Sequence, residues 1–334
     1  MRVYRMAFAL VLPILIASLT VSVAFALENQ EEKREMQGVL RKMQASAQRL
    51  NYAGTFVYQQ ASQMRTSRIT HHADAAGEIE KLEILDGRPR EYLRRNEEVS
   101  CYLPDTKTIQ VEKNVTQEVF PALLTQNAQA LPDLYLIKKA EVARVAGLEC
   151  QTYLLEPRDG ARYGYRLCSE KQSGLLLRAQ TVNAKNEVIE QIAFTQISIG
   201  DVDKNKLKPS FPNISQWHVE NLTVESNIHS GWQVTSVPNG FKKIKEMKRL
   251  IATAAPGQPG AAHPVIQMIF SDGLATISVF IEPDHENRSE GSLQQGAMTI
   301  MAKRQGHYWL TVVGEVPAAA IHQVMNSIEY KTKP

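Results

Sequence analysis

His71, His72 and Asp74 stand almost side by side and could begin a metal site. A zinc centre needs three or four such donors converging on one point. Neighbouring residues of a strand point to opposite faces, so adjacent histidines are poorly placed to share an ion. A pair of exposed strand-end histidines is the plainer reading. Asp86 with Arg88 and Arg90 reads as turn chemistry and surface pairing, and His285-Glu286 as part of a solvated loop. A hydrolase would need two of His71, Asp74, Asp86, Glu91 and Ser100 in one cleft. The chain has no Gly-x-Ser-x-Gly elbow, no His-Glu-x-x-His, no Cys-x-x-Cys and no Walker loop. Gly257-Gln258-Pro259-Gly260 lacks the strand-to-helix context of a nucleotide loop. No catalytic residue, metal ligand or cofactor is therefore assigned.

Three other groups carry chemistry. Cys101, Cys150 and Cys168 would allow one disulfide and one free thiol, or no disulfide. Lys242, Lys243, Lys245, Lys248 and Arg249 form a basic run. It is either a solvated face or a docking surface for an acidic partner or phosphorylated lipid. Aromatic residues concentrate between Tyr52 and Phe194. Most should be packing, but a curved sheet could leave an apolar cavity. Ten acyl methylenes buried there would contribute roughly 8 kcal/mol before ordering costs.

The elements follow from periodicity and turns. Met36, Val39, Leu40, Met43, Ala47 and Leu50 recur at helical spacing within Glu28–Leu50. Short strands are expected at Thr55–Gln60, Arg65–His72, Glu78–Asp86, Glu91–Asn96, Glu98–Leu103 and Thr108–Glu112. Their regular spacing suggests one large curved antiparallel sheet. Val119–Tyr135 breaks the rhythm and reads as short helices and loops over that sheet. A meander follows between Gly147 and Val182, and a last strand at Val188–Ile199. Its first turn can close in two registers. A three-residue loop, Arg158-Asp159-Gly160, sets Cys150 opposite Cys168; a two-residue loop sets Cys150 opposite Leu167. The glycine position leans toward the first, and toward a Cys150–Cys168 bridge.

Asp201–Gln216 has the prolines, asparagines and lysines of a linker. A smaller unit follows, with strands at Trp232–Val237, Val265–Phe270, Leu274–Glu282 and Tyr308–Val313. Loops are expected at Ala252–Pro264 and Pro283–Gly291. A closing helix is expected at Pro317–Glu329, with Ile321, Val324, Met325 and Ile328 on one face.

The 334 residues carry a formal charge of +3. Arg2 and Arg5, the apolar run Met6–Val23 and Ala24-Phe25-Ala26 have the layout of a secretory signal. An uncleaved membrane anchor is the rival; Pro13 and the Ala-x-Ala ending favour cleavage near Ala26. Loss of Arg2 and Arg5 would leave a nearly neutral exported chain, which argues against nucleic-acid partners. A chain this long buries roughly three quarters of its unfolded surface and needs no metal to fold.

Several stretches resemble the RseB/MucB family of periplasmic regulators of envelope-stress (sigma-E/AlgU-type) sigma factors. They are NYAGTFVY (Asn51–Tyr58), LDGRPRE (Leu85–Glu91), CYLPD (Cys101–Asp105), PRDGARYGYRL (Pro157–Leu167), FSDGLATISVFIEP (Phe270–Pro283) and TVVGEVP (Thr311–Pro317). Their order and spacing, more than any one motif, carry the resemblance. It implies an α+β architecture. Residues 27–203 would form a lipoprotein-carrier-like half-barrel with helices on its open side. Residues 204–226 would be a linker, and residues 227–334 a smaller antiparallel sheet with a packed helix that binds the anti-sigma factor.

The resemblance further implies a non-enzymatic role. The chain would bind the periplasmic domain of an RseA/MucA-type transmembrane anti-sigma factor and shield it from site-1 proteolysis. Lipopolysaccharide or another acyl lipid would release it. A homo-oligomer is compatible with this reading. The alternatives are a periplasmic lipid or lipoprotein carrier, and an exported hydrolase. Under the regulatory reading, lipid contacts fall on Phe56, Tyr58, Leu82, Ile84, Phe120, Leu123, Leu124 and Leu136. Partner contacts fall on Lys242, Lys243, Lys245, Lys248, Arg249, Asp272 and Gly273. Cys168 stands where relatives usually have tryptophan, so no family role is carried to it.

Overall fold

Alternating apolar positions separated by Asp-Gly, Arg-Asn and Pro-Asp turns build most of this protein from antiparallel strands. The computed structural model describes residues 11–115, 120–222, 224–252, 262–284 and 288–331. Helix α1 (Val11–Arg49) leads into β1 (Tyr52–Gln60), β2 (Gln63–Asp74), β3 (Gly77–Ile84), β4 (Arg90–Arg95), β5 (Glu98–Leu103) and β6 (Thr108–Glu112). The short helix α2 (Leu131–Leu134) precedes β7 (Tyr135–Val145), β8 (Leu148–Pro157), β9 (Gly164–Glu170), β10 (Leu176–Val182) and β11 (Val188–Ile199). With β12 (His218–Asn221), these strands form a curved, unclosed twelve-stranded sheet. Its order is β12-β6-β5-β4-β3-β2-β1-β11-β10-β9-β8-β7.

The remaining strands are β13 (Val224–Ser226), β14 (Trp232–Val234), β15 (Lys242–Ala252), β16 (Ala262–Ser271), β17 (Thr276–Pro283), β18 (Gly291–Gln295), β19 (Met298–Gln305) and β20 (Tyr308–Gly314). Helix α3 (Ala318–Met325) and β21 (Ile328–Tyr330) close the chain. Seven of these strands form the second sheet, in the order β13-β15-β16-β17-β20-β19-β18, while β14 pairs with β21.

Each sheet buries one face. Met36, Leu40, Met43 and Ala47 of α1 are buried with the large sheet's core, as the helical spacing requires. Phe120, Leu124, Leu131 and Leu134 join the same core from the segment between β6 and β7. In the small sheet, Ile277, Val279 and Ile281 alternate inward and pack with Val312, Ile321 and Val324.

Five expectations are revised. The β8–β9 hairpin uses neither anticipated register: Thr152 faces Cys168 and Cys150 faces Glu170. The cysteines therefore sit diagonally on one face and are joined, with S–S 2.04 Å and Cα–Cα 5.4 Å. The longer turn arises because Asp159 accepts from the Ala161 N–H, while Arg162 turns away to a buried partner. The closing helix stops at Met325, and Ile328 instead occupies a strand opposite Val234.

The basic run Lys242–Arg249 is itself a strand, hidden from periodicity by its charges and by a register shift between Lys243 and Lys245. Residues 204–226 hold the edge strands β12 and β13 of the two sheets as well as turns. His71 and His72 are both buried, not exposed. The His71 ring stacks on Tyr52 at 4.8 Å and bonds to the Leu50 carbonyl. His285-Glu286 and most of the expected Ala252–Pro264 loop lie outside the described residues.

Candidate functional site

The concave face of the large sheet meets the small sheet around a cavity of about 320 Å³. Phe56 and Tyr58 on β1, Leu82 on β3, Ala179 on β10 and Ile192 on β11 line it from the large sheet. Phe120 and Leu123 close it from the segment before α2, and Leu274 and Glu315 from the small unit. A second cavity, also about 320 Å³, shares Leu123, Leu274 and Glu315 and continues along the small sheet past Ile269 and Val313. Each is at the lower end of the usual size of small-ligand sites, roughly 300–1,000 Å³.

Aromatic stacking shapes the first cavity. The Phe120 ring lies 5.3 Å from Phe56, which shares the wall with it, and 4.9 Å from Phe194 in the core behind them. Such pairs add about 0.5–1.5 kcal/mol each beyond burial. The wall is apolar except at Ser67, Thr181, Gln191, Tyr58, Tyr165 and two carboxylates, Glu190 and Glu315. Burial, reinforced by the adjacent Glu190, pushes the Tyr58 phenol well above its ordinary value. Burial likewise raises Glu190. Glu315 is pushed up to about 7 by desolvation and by Glu190. Glu315 is exposed along the cavity wall. Protein from both sheets surrounds that cavity, so an open surface there still leaves the carboxylate with little bulk water around it.

The two units are locked together beside the cavity. Arg162 and Asp272 have fully buried side chains, with Nη1 donating to Oδ2 at 3.0 Å. Arg162 also donates to Asp159 Oδ1 and to the Asn239 carbonyl. Its guanidinium lies 5.6 Å from the Tyr135 ring centre and 5.4 Å from that of Phe241. Asp272 Oδ1 accepts from the Leu274 and Ala275 amides, and Tyr135 Oη donates to Oδ2 at 3.4 Å. Burial drives the Asp272 carboxyl upward against these donors. With every partner in place, we assign it as the ionised half of the pair.

Five of the eight residues expected to contact lipid line the first cavity: Phe56, Tyr58, Leu82, Phe120 and Leu123. Leu124 is buried in the core, and Ile84 shares the face of Leu82 without reaching the cavity wall. Leu136 is surface-exposed because strand alternation turns it outward beside the buried Tyr135. Among the expected partner contacts, Asp272 is enclosed in the junction, and the Gly273 carbonyl accepts from Thr125 N–H. Both are thus occupied within the molecule.

The basic run is also partly engaged. Lys245 donates to the Asn114 carbonyl, Arg249 to Glu112 at 3.1 Å, and Lys243 to Glu246 at 2.6 Å. Lys242 is exposed and Lys248 half-buried. His71, Asp74, Asp86, Glu91 and Ser100 do not meet: His71 faces Glu78, Asp74 bonds His72, Asp86 caps Thr66 and Glu91 pairs with Lys81. Among the described residues no group of three His, Cys, Asp or Glu could hold a metal.

Arg162, Glu190, Leu274 and Glu315 escaped the sequence reading. A signal existed for Arg162: it sits among Ala161, Tyr163, Gly164 and Tyr165, and an arginine in an apolar setting needs a buried partner. Nothing local marks Glu190 or Glu315, because they meet only when the two sheets pack.

Comparison with known proteins accounts for both sheets. Residues 35–211 match the MucB/RseB N-terminal domain and residues 226–329 the MucB/RseB C-terminal domain. The sigma factor AlgU regulatory protein MucB of Pseudomonas aeruginosa is 28% identical over 291 residues, covering 85% of this chain and 88% of its own. The sigma-E factor regulatory protein RseB of Haemophilus influenzae is 23% identical over 329 residues, covering 96% and 99%. Neither name is that of an enzyme. A crystal structure of MucB in complex with MucA(peri) superposes with a TM-score of 0.65 at 26% identity, over 89% of this chain and 99% of that one. The Pseudomonas aeruginosa MucA/MucB complex gives a TM-score of 0.68 at 24% identity, over 90% and 100%. By sequence along both units and by fold, the chain belongs to the MucB/RseB family.

Proposed function

We propose that this chain is a periplasmic regulatory protein. It binds the periplasmic domain of a membrane-spanning anti-sigma factor and shields it from site-1 proteolysis. The observation that carries the reading is the likeness, over both units, to MucB captured with the periplasmic part of MucA. The export-type leader agrees with the compartment. Lys242 and the outer part of the basic strand are the candidate docking surface, since Asp272 and Gly273 are enclosed. The apolar junction cavity is the candidate receptor for an acyl chain of lipopolysaccharide or a related lipid. Binding there releases the partner only if the lipid prefers the free form over the partner-bound form.

A carrier function would need the large sheet alone to enclose its cargo. Leu274 and Glu315 of the small unit complete the cavity wall, which favours a regulator whose two units act together.

Calorimetric titration with the periplasmic domain of the anti-sigma factor from the same genome tests the reading. Saturable binding, weakened by added lipopolysaccharide, is expected. The variant Leu123→Trp fills the space that both cavities share. Two excluded methylenes correspond to roughly 1.6 kcal/mol, so lipid should compete about tenfold less well. An unchanged lipid effect would remove the cavity from the account.

A further inference from the structure

The outer face of the large sheet carries hollows of a different character. Alternate residues of a strand face opposite sides, so on β2 Ser67 lines the junction cavity while Arg68 and Thr70 face away from it. The turn Lys204–Leu207 packs against β2 and β3, and the chain from 204 to 210 forms a strap there. Between strap and sheet lie two adjoining hollows of about 190 and 500 Å³, both lined by Arg68 and Lys206. The larger falls within the usual size of small-ligand sites, roughly 300–1,000 Å³.

One wall of this cleft is already satisfied. Lys81, with its side chain buried, donates from Nζ to the Lys208 carbonyl at 2.9 Å and to Ser210 Oγ at 2.6 Å. Glu91 balances its charge at 3.3 Å and accepts from the Ser210 amide at 2.9 Å. The other groups are not matched in this way. Lys206 is exposed and has no carboxylate partner among the described residues. Arg68 has Glu83 at 3.7 Å, beyond hydrogen-bond reach, and Glu83 is shared with Lys81 at 3.6 Å. Lys208 donates to the neutral Asn205 Oδ1 at 3.1 Å. On the floor Thr70 is 1% exposed, and its hydroxyl meets no hydrogen-bond partner among the described residues. Buried hydroxyls are normally paired, so this one marks a place for an acceptor or donor from outside.

We infer that this cleft is a binding site for a phosphate monoester, held between Arg68 on the sheet and Lys206 on the strap.

The charge balance selects this class. With Lys81 neutralised by Glu91, the lining residues set Arg68, Lys206 and Lys208 against Glu83. The surplus matches the charge of about −1.5 to −2 that a phosphate monoester carries near neutrality. A guanidinium fork and a lysine point charge, arriving from two sides, suit its several oxygens better than a carboxylate's two. The larger hollow leaves room for the alcohol that the phosphate esterifies. The site faces away from the junction cavity, so it is separate from the acyl receptor of the regulatory reading. A ligand bridging sheet and strap would fix the chain that runs on to β12 and β13, where the two units are joined.

Titration calorimetry of the full protein with glycerol 3-phosphate, at an ionic strength held constant with sodium chloride, tests the inference. Saturable binding is expected, with slower amide hydrogen exchange over residues 204–210 in the bound protein. The double variant Arg68→Gln/Lys206→Gln should bind at least about tenfold more weakly. Arg158→Gln/Lys185→Gln removes the same charge from exposed residues elsewhere and should bind as the wild type does. Flotation with phosphatidylcholine vesicles, with and without phosphatidate, separates the sources. Capture by phosphatidate that is lost in Arg68→Gln/Lys206→Gln identifies a lipid headgroup; binding of glycerol 3-phosphate without such capture identifies a soluble ester. Neither saturable binding nor phosphatidate-dependent capture by the wild type, or equal weakening in both double variants, would overturn the inference. The wild-type measurements decide even if a variant folds poorly. No anti-sigma factor is present, so failure here leaves the regulatory reading intact.

Discussion

Arg162 illustrates how one side chain can decide the relation of two sheets. Its guanidinium leaves water completely and is matched by Asp272, Asp159 and the Asn239 carbonyl. Removing one partner strands the other as a buried charge. Arg162→Met should therefore destabilise the protein by about 3–5 kcal/mol in chemical denaturation, and a loss under about 1 kcal/mol would show that the pair contributes little. His71 gives a second test. Burial opposes its charge, but Glu78, the Leu50 carbonyl and Glu80 together outweigh burial and raise its proton affinity. A raised histidine stabilises fully below its unfolded value of about 6.5, and that contribution is lost as pH rises through the folded value. Urea midpoints should fall on the alkaline side of neutrality, and His71→Phe should flatten that slope. An equally steep slope in the variant would assign the pH dependence to other groups.

Strands and hairpins were the most legible part of the molecule. Regular turns and alternation placed β1 to β6, and helical spacing placed the buried face of α1. Lys242–Ala252 was opaque as a strand because its outward charges mask the alternation, and the small strand β21 was absorbed into a longer apolar period. The β8–β9 turn was misread because local glycine chemistry was weighed without the distant demand of Asp272 on Arg162. The same limit applies to the cavity: Phe56, Leu82 and Phe120 could be nominated from pattern, whereas Leu274 and Glu315 enter only through packing of one sheet on another. The diagonal Cys150–Cys168 link joins residues 18 apart in sequence. Closing a loop of about that length restricts the unfolded chain by roughly 3 kcal/mol. Replacing both cysteines with serine should lower stability by about 2–4 kcal/mol, while free thiols at both positions in the native protein would remove this contribution from the account.

Taken whole, the molecule is two sheets whose shared boundary contains an ion-pair clamp, an apolar cavity and a pair of carboxylates. A regulator built this way can exchange a change at the boundary for a change in partner affinity, because a ligand shifts an equilibrium only through its differential affinity for two states. A chain with this role must protect its partner and not merely touch it. The most direct measurement is a time course of site-1 protease cleavage of the anti-sigma factor's periplasmic domain, with and without an excess of this protein. Cleavage should slow strongly with the protein present and recover when lipopolysaccharide is added. Cleavage at the same rate with and without the protein, under conditions where the two demonstrably bind, would contradict the proposed function.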